Sequence, residues 1–227
     1  YVPNNMAICL SGDFDPDQMI ATIDKYFGGL KPNPDLPKLD LPKETPITAP
    51  VVREILGPDA ESVALAWRFP GAADKDVEIL QVVSQILYNG QAGLIDLDLT
   101  QQQKTLSAYC YPMTMSDYSA FMMQGRPKQG QTLDEVKDLL LGELKKLREG
   151  DFDEKMLEAN FNNFKLYQMQ QLENNDARAD MFVESFVNGS DWADEVTALD
   201  RMSKLTKDDI VAFANKYLKD DNYAVIY

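Results

Sequence analysis

The chain has 227 residues, 44% hydrophobic and 26% charged, the make-up of a globular and not a disordered chain, and no apolar run approaches the roughly 18 residues of a membrane-spanning helix. Its formal net charge of −15, from 22 basic and 37 acidic side chains, excludes a basic phosphate-binding surface, and nucleic acid is not an expected partner. There is no histidine, so any zinc site or catalytic triad that depends on imidazole is absent from these residues.

In chain order, the first predicted element is a buried strand, Met6-Ala7-Ile8-Cys9-Leu10, ended by Gly12; the residues ahead of it do not read as a signal peptide. Asp15 stands as the N-cap of a helix with Pro16 at its first position. Met19, Ile20, Ile23, Tyr26 and Phe27 form its apolar stripe, and Gly28-Gly29 stops it. Residues 32–50 carry six prolines, which no helix or inner strand tolerates, so they read as an extended linker and a domain boundary.

Beyond the linker, Val51 to Leu56 and Ser62 to Phe69 are predicted strands joined by a Gly57-Pro58 turn. The second alternates Val63, Leu65, Trp67 and Phe69 against Ser62, Ala64, Ala66 and Arg68, the pattern of a half-buried strand. Val77, Leu80, Val83 and Leu87 mark a helix ending at Asn89-Gly90, followed by a shorter helical stretch over Leu94 to Gln103. Ala108 to Tyr111 and Ser119 to Met123 form a predicted hairpin. Thr132 and Glu135 make a capping box ahead of Leu133, Val136, Leu140, Leu144 and Leu147. Asp153 caps a long helix with Leu157, Phe161, Phe164 and Leu172. Met181, Phe182, Phe186 and Val187 mark another, closed by Asn188-Gly189, and Trp192, Val196, Leu199 and Met202 a third. Thr206 and Asp209 box the last, with Ile210, Phe213, Tyr217 and Leu218, before a strand over Tyr223 to Tyr227. Strands and helices are segregated without repeated βαβ units, so the fold class is α+β: an antiparallel sheet covered by helices. Cys9 and Cys110 are too few for a disulfide framework; two buried free thiols are expected, with a single bridge as the alternative.

The two ends repeat each other. Asn4-Asn5-Met6-Ala7-Ile8 lies over Asp221-Asn222-Tyr223-Ala224-Val225, with Asn5 and Asn222 about 217 residues apart, the length of a whole domain. On this pattern the chain opens with the closing strand of one domain copy and stops at the same strand of the next.

Asn4 to Asp15, with its Asn5-Met6 and Gly12-Asp13-Phe14-Asp15, and Lys25-Tyr26-Phe27-Gly28-Gly29-Leu30 resemble a segment of the insulinase/pitrilysin zinc peptidases. Val63 to Gly71 is similar to that family's entry strand, Gly90 to Leu99 to its helix after a glycine-rich turn, and Leu133 to Gly150, Leu157 to Asn163 and Thr206 to Leu218 to its closing helices. The resemblance implies a division into residues 1–31, the closing strand and helix of a preceding peptidase-like domain, a linker at 32–50, and a peptidase-like domain at 51–227. Cleaving members carry H-x-x-E-H; lacking histidine, this chain is implied to be the non-catalytic companion, with no catalytic or metal-binding residue of its own. Zinc is then expected in the upstream domain, and the implied partners are that domain, on the same chain or a partner subunit, and a peptide substrate held in a shared chamber. The family's substrate-contacting arginine and tyrosine have no match in register at Tyr118 and Arg126, so substrate-binding residues are left unassigned.

Other features have a plainer reading beside the sharper one. Asp13-Phe14-Asp15-Pro16-Asp17 begins like a calcium loop, but Gln18 and Asp24 stand where glycine and glutamate are required, and helix capping is the expected role. Gly150-Asp151-Phe152-Asp153 is read the same way. Asp96 and Asp98, two apart on a helix, point to different faces and are expected to be solvated or locally paired. Gln101-Gln102-Gln103-Lys104 is expected to be a polar helix end, and Phe121-Met122-Met123 to be strand core, not a peptide groove. The acidic balance fits a solvated surface or a preference for basic peptides. Two functions follow: the non-catalytic domain of a zinc endopeptidase, or a structural subunit of the same fold without peptidase work. A carboxylate-only enzyme finds no acid pair at a convincing spacing. The cysteine count fits periplasm or cytoplasm alike.

Overall fold

The computed structural model describes residues 1–37 and 42–227, so four residues of the predicted linker lie outside the described ones. A short 3₁₀ turn at Pro3–Asn5 opens the chain, and Asn4 exchanges two hydrogen bonds with the main chain of Asn33 (2.8 and 3.0 Å). The strand expected at Met6–Leu10 is not formed. Among the described residues nothing pairs with it, and Met6, Ile8 and Leu10 are exposed. An apolar run becomes a strand only when a neighbour takes up its N–H and C=O groups. Cys9, expected to be buried, is accordingly only half-buried; Cys110 is buried, and both thiols are free. Helix α1 (Pro16–Phe27) forms as expected, with Asp15 Oδ1 accepting from the Gln18 N–H at 2.9 Å, yet it buries none of its residues.

The core belongs to residues after the linker. Five strands form one sheet in the order β1 (Val51–Arg53), β5 (Tyr223–Ile226), β2 (Val63–Pro70), β4 (Tyr118–Arg126), β3 (Ser107–Met113). All neighbours are antiparallel except β1 and β5, so the α+β class holds. The expected β1–β2 hairpin is replaced: β1 is shorter than predicted, and β5 inserts between the two strands, parallel to β1. Gly57-Pro58 lies in the connection, but long-range pairing decides the neighbours. At the opposite edge β3 carries Pro112, a residue tolerated where one side of a strand is unpaired.

The alternation in β2 works as read: Val63, Leu65, Trp67 and Phe69 are buried at 0–2% exposure, and the residues between them are not. They meet Phe121, Met123, Cys110, Tyr223 and Val225 on the same face. Over this layer lie α2 (Lys75–Leu87), α3 (Leu133–Glu149) and α7 (Lys207–Tyr217), which add Leu80, Val83, Leu87, Leu140, Leu144, Ile210 and Phe213. Each such side chain contributes about 1.5–3 kcal/mol by leaving water. Both predicted capping boxes form, at Thr132–Glu135 and Thr206–Asp209. Trp67 fixes the sheet's centre, stacked on Tyr223 at 5.1 Å with its indole N–H donated to the Lys219 carbonyl at 3.0 Å.

Helices α4 (Lys155–Leu172), α5 (Asn175–Asn188) and α6 (Trp192–Met202) form an outer layer that buries only Asn160 and Ser185 fully. Leu172, Phe182, Phe186, Val187 and Val196, read as apolar stripes, stay exposed. The stretch expected to be helical from Leu94 to Gln103 is one helical turn continued by a π-helix at Asp96–Thr100.

Candidate functional site

The acidic motifs resolve into local roles. Asp15 caps α1. Asp153 Oδ1 accepts from the Lys155 N–H at 3.0 Å at the start of α4, while Glu154, the residue directly before that helix, makes no capping bond with its side chain. Gly150 ends α3 in the left-handed region at φ 72°. Asp96 is buried, at 4% exposure, and its Oδ2 accepts from the main-chain N–H groups of Asn89 and Gly93, both at 3.0 Å. Asp98 faces elsewhere and pairs with Lys146 at 2.7 Å; Lys146 also holds Glu143 at 3.0 Å. Burial pushes the Glu143 carboxyl up, outweighing the pull of Lys146.

These side chains do not fit zinc. There is no histidine, and among the described residues no three of Cys, Asp and Glu converge on a point where an ion could sit. The thiol of Cys110 is unsuited too: burial drives its pKa strongly up, and its Sγ donates weakly to the Ser84 carbonyl at 3.7 Å.

The glutamine run is bound up locally. Gln101 Nε2 donates to the Gln91 carbonyl at 3.0 Å and Gln102 Nε2 to Asp98 at 3.3 Å. Gln103 takes a positive φ of 53°, turning the chain from the π-helix into β3. Phe121 and Met123 are core, as expected, but Met122 alternates to the other face of β4. Tyr118 and Arg126 stand at opposite ends of the nine-residue β4, about 26 Å apart at strand rise, and form no pair.

What sequence reasoning did not assign is the second face of the sheet. The helices bury one set of alternating residues; the other set stays half-buried or exposed. The register places Arg53, Ile226, Ala64, Gln124 and Tyr109 in one row across five strands. Val51, Ala224, Ala66, Met122 and Tyr111 form the next, then Arg68, Ala120 and Met113. With strands about 4.8 Å apart, Ala64, Ala66 and Ala224 on β2 and β5 floor a shallow trough between taller side chains on β4 and β1. Along its β3 side Tyr109 donates its hydroxyl to Gln124 Oε1, Gln124 Nε2 reaches the Tyr111 hydroxyl at 3.4 Å, and the two tyrosine rings stack at 6.1 Å. The charged side chains that the strands send to this face are Arg53, Arg68 and Arg126, with no carboxylate among them. Such a surface can bind and orient a peptide through aromatic contact, amide bonds and positive charge. It offers neither a nucleophile nor a general base. The alternation of Tyr109 and Tyr111 was the available signal, but only the strand register joins them to Gln124.

Comparison with known proteins places this arrangement. The family model described as the peptidase M16 inactive domain matches residues 1–164. The chain is similar to the zinc protease PqqE of Helicobacter pylori, 24% identical over 233 residues, which take in all of this chain and 52% of that protein. It therefore spans about half the length of that curated relative. Among solved structures it is similar to a protease from Helicobacter pylori, with a TM-score of 0.86 and 22% identity over 95% of this chain and 53% of that one. It also resembles the periplasmic protease PqqL from Escherichia coli, with a TM-score of 0.72 and 14% identity over 95% of this chain and 25% of that one. Among the described residues no helix is long and apolar enough to cross a membrane.

Proposed function

The chain belongs to the peptidase M16 family through its inactive domain, and on that premise we propose that it is the non-catalytic domain of a zinc endopeptidase, walling the enclosure in which peptide is held while an upstream domain cuts. The observation that carries this reading is the uncovered sheet face, floored by Ala64, Ala66 and Ala224 and edged by the Tyr109–Gln124–Tyr111 group. Zinc held by the upstream domain supplies an activated water for hydrolysis. This chain's side chains bind and orient the peptide: Tyr109, Tyr111 and Gln124 through ring faces and amide bonds, Arg53 and Arg126 by attraction to acidic side chains or a terminal carboxylate.

The domain division proposed with it assigns residues 1–31 to the end of the preceding domain, 32–50 to a linker and 51–227 to the non-catalytic domain. It is supported by α1, which buries no residue and leaves Ile20 and Tyr26 more than 60% exposed. The sheet and its core, by contrast, are complete within 51–227.

Steady-state cleavage of peptides by the longer parent protein tests the function. Deleting residues 51–227 should abolish turnover. Replacing Tyr109 and Gln124 together by alanine should raise KM about tenfold with a smaller change in kcat, the pattern of lost ground-state binding. Unchanged KM would refute the peptide-holding role. Absence of cleavage in a zinc-loaded parent would favour the structural-subunit reading.

A further inference from the structure

The end of the open face at Arg68 is occupied, and by the chain itself. Residues 42–47 pass over it, and they and Arg68, Pro70, Tyr118 and Asn222 wall a cleft of about 650 Å³ that stays open beside the contacts. Both hydrogen bonds read main chain. The Glu44 N–H donates to the Tyr118 hydroxyl at 3.0 Å, and Arg68 Nη2 donates to the Thr45 carbonyl. The guanidinium lies over the Tyr118 ring at 5.5 Å, and the Glu44 carboxylate adds a longer contact at 3.8 Å. Pro42 and Pro46 flank the held pair and keep this stretch extended, so its N–H and C=O groups have no partners of their own and little freedom is lost on docking. The seat is firm. At Gly71 an added Cβ would come within 2.0 Å of the Ser116 carbonyl oxygen, and the Ala72 N–H bonds the Met115 carbonyl at 2.9 Å, so the loop that leads into Tyr118 is fastened to the end of β2.

We propose that Arg68 and Tyr118 form a main-chain clamp for residues 42–47, which act as a removable strap over this end of the sheet. With the strap seated, the Arg68 guanidinium is engaged. With it lifted, the trough lengthens by the row of Arg68, Ala120 and Met113. The clamp does not depend on the reading as a peptidase domain, because both partners are in this chain.

Trypsin cleavage after Lys43 tests it on the 227-residue chain. The bond cut is the one whose N–H Tyr118 holds, and masses of fragments 1–43 and 44–227 report it. Tyr118→Phe removes one hydroxyl and Arg68→Ala the guanidinium. Each should speed the nick about tenfold, the value expected for losing one hydrogen bond of the neutral or charge-assisted kind, with the melting temperature unchanged for Tyr118→Phe. Equal nicking in wild type and Tyr118→Phe overturns the clamp. Amide exchange at Glu44 decides the same point without a protease. Protection in the wild type that Tyr118→Phe removes supports it, and exchange at the rate of an unstructured peptide in the wild type overturns it. If Arg68→Ala lowers the melting temperature, Tyr118→Phe and the Glu44 amide alone decide the outcome.

Discussion

Asp96 offers a quantitative test of whether the acids of this chain are structural. Both of its bonds, to the N–H groups of Asn89 and Gly93, end on one oxygen, Oδ2, at 3.0 Å, in a setting where the residue is 4% exposed. Asp96→Ala leaves two main-chain donors unpaired, at about 1–3 kcal/mol each, so a loss of about 4 kcal/mol is expected. Asp96→Asn keeps one acceptor oxygen able to take both bonds and forfeits only their charge assistance, about 1 kcal/mol. For a chain of this size 1 kcal/mol moves the melting temperature by about 2–4 °C, which separates the variants clearly: about 8–16 °C for alanine and under about 4 °C for asparagine. Urea unfolding followed by near-UV circular dichroism measures the same quantity independently. Equal losses in the two variants, or an alanine variant within about 0.5 kcal/mol of wild type, would refute the capping account.

Asp76 should make stability depend on acid. Burial opposes its charge, but hydrogen bonds from Lys216 and Tyr217 outweigh burial and hold its carboxyl below the usual range, joining the start of α2 to the end of α7. Its contribution is therefore complete above the ordinary aspartate value of about 3.9 and is lost as pH falls through the lowered folded value. The stability difference between wild type and Asp76→Asn should be constant from pH 6 to about pH 5 and shrink below about pH 4; a difference that grows on acidification would show the sign to be wrong. The two thiols should react unequally. In the native chain an aromatic disulfide reagent should titrate Cys9 quickly and leave Cys110 silent, with both counted in denaturant; native reaction of both at one rate would contradict the burial and raised pKa of Cys110.

Local chemistry made much of this fold legible. Thr132–Glu135 and Thr206–Asp209 announce helix starts because the capping bonds span three residues, and Val63 to Phe69 shows its two faces because a strand alternates by itself. What failed depended on a distant partner. Met6–Leu10 has the composition of a buried strand but no pairing strand among the described residues, and β1 looked like the first arm of a hairpin although its neighbour is β5. The π-helix at Asp96–Thr100 begins at a carboxylate turned inward onto two amides, a contact that periodicity does not encode. The candidate site was half legible: alternation sends Tyr109 and Tyr111 to one face, but their meeting with Gln124, and the seating of Glu44 on Tyr118, require the register and the path of the linker.

The insertion of β5 between β1 and β2 has a consequence for synthesis. Val51 pairs with Ala224, so about 170 residues must be made between the two, and at about 5–20 residues per second this takes roughly 9–35 s. For the last roughly 5–20 s of it, after Arg126 is made and before Ala224, the β2–β4–β3 layer exposes one edge of β2, an open ladder beside Leu65 and Trp67 that any passing strand could join. The last strand of this sheet to be made is thus the one that seals its middle, and the layer stays open to misassembly until it arrives.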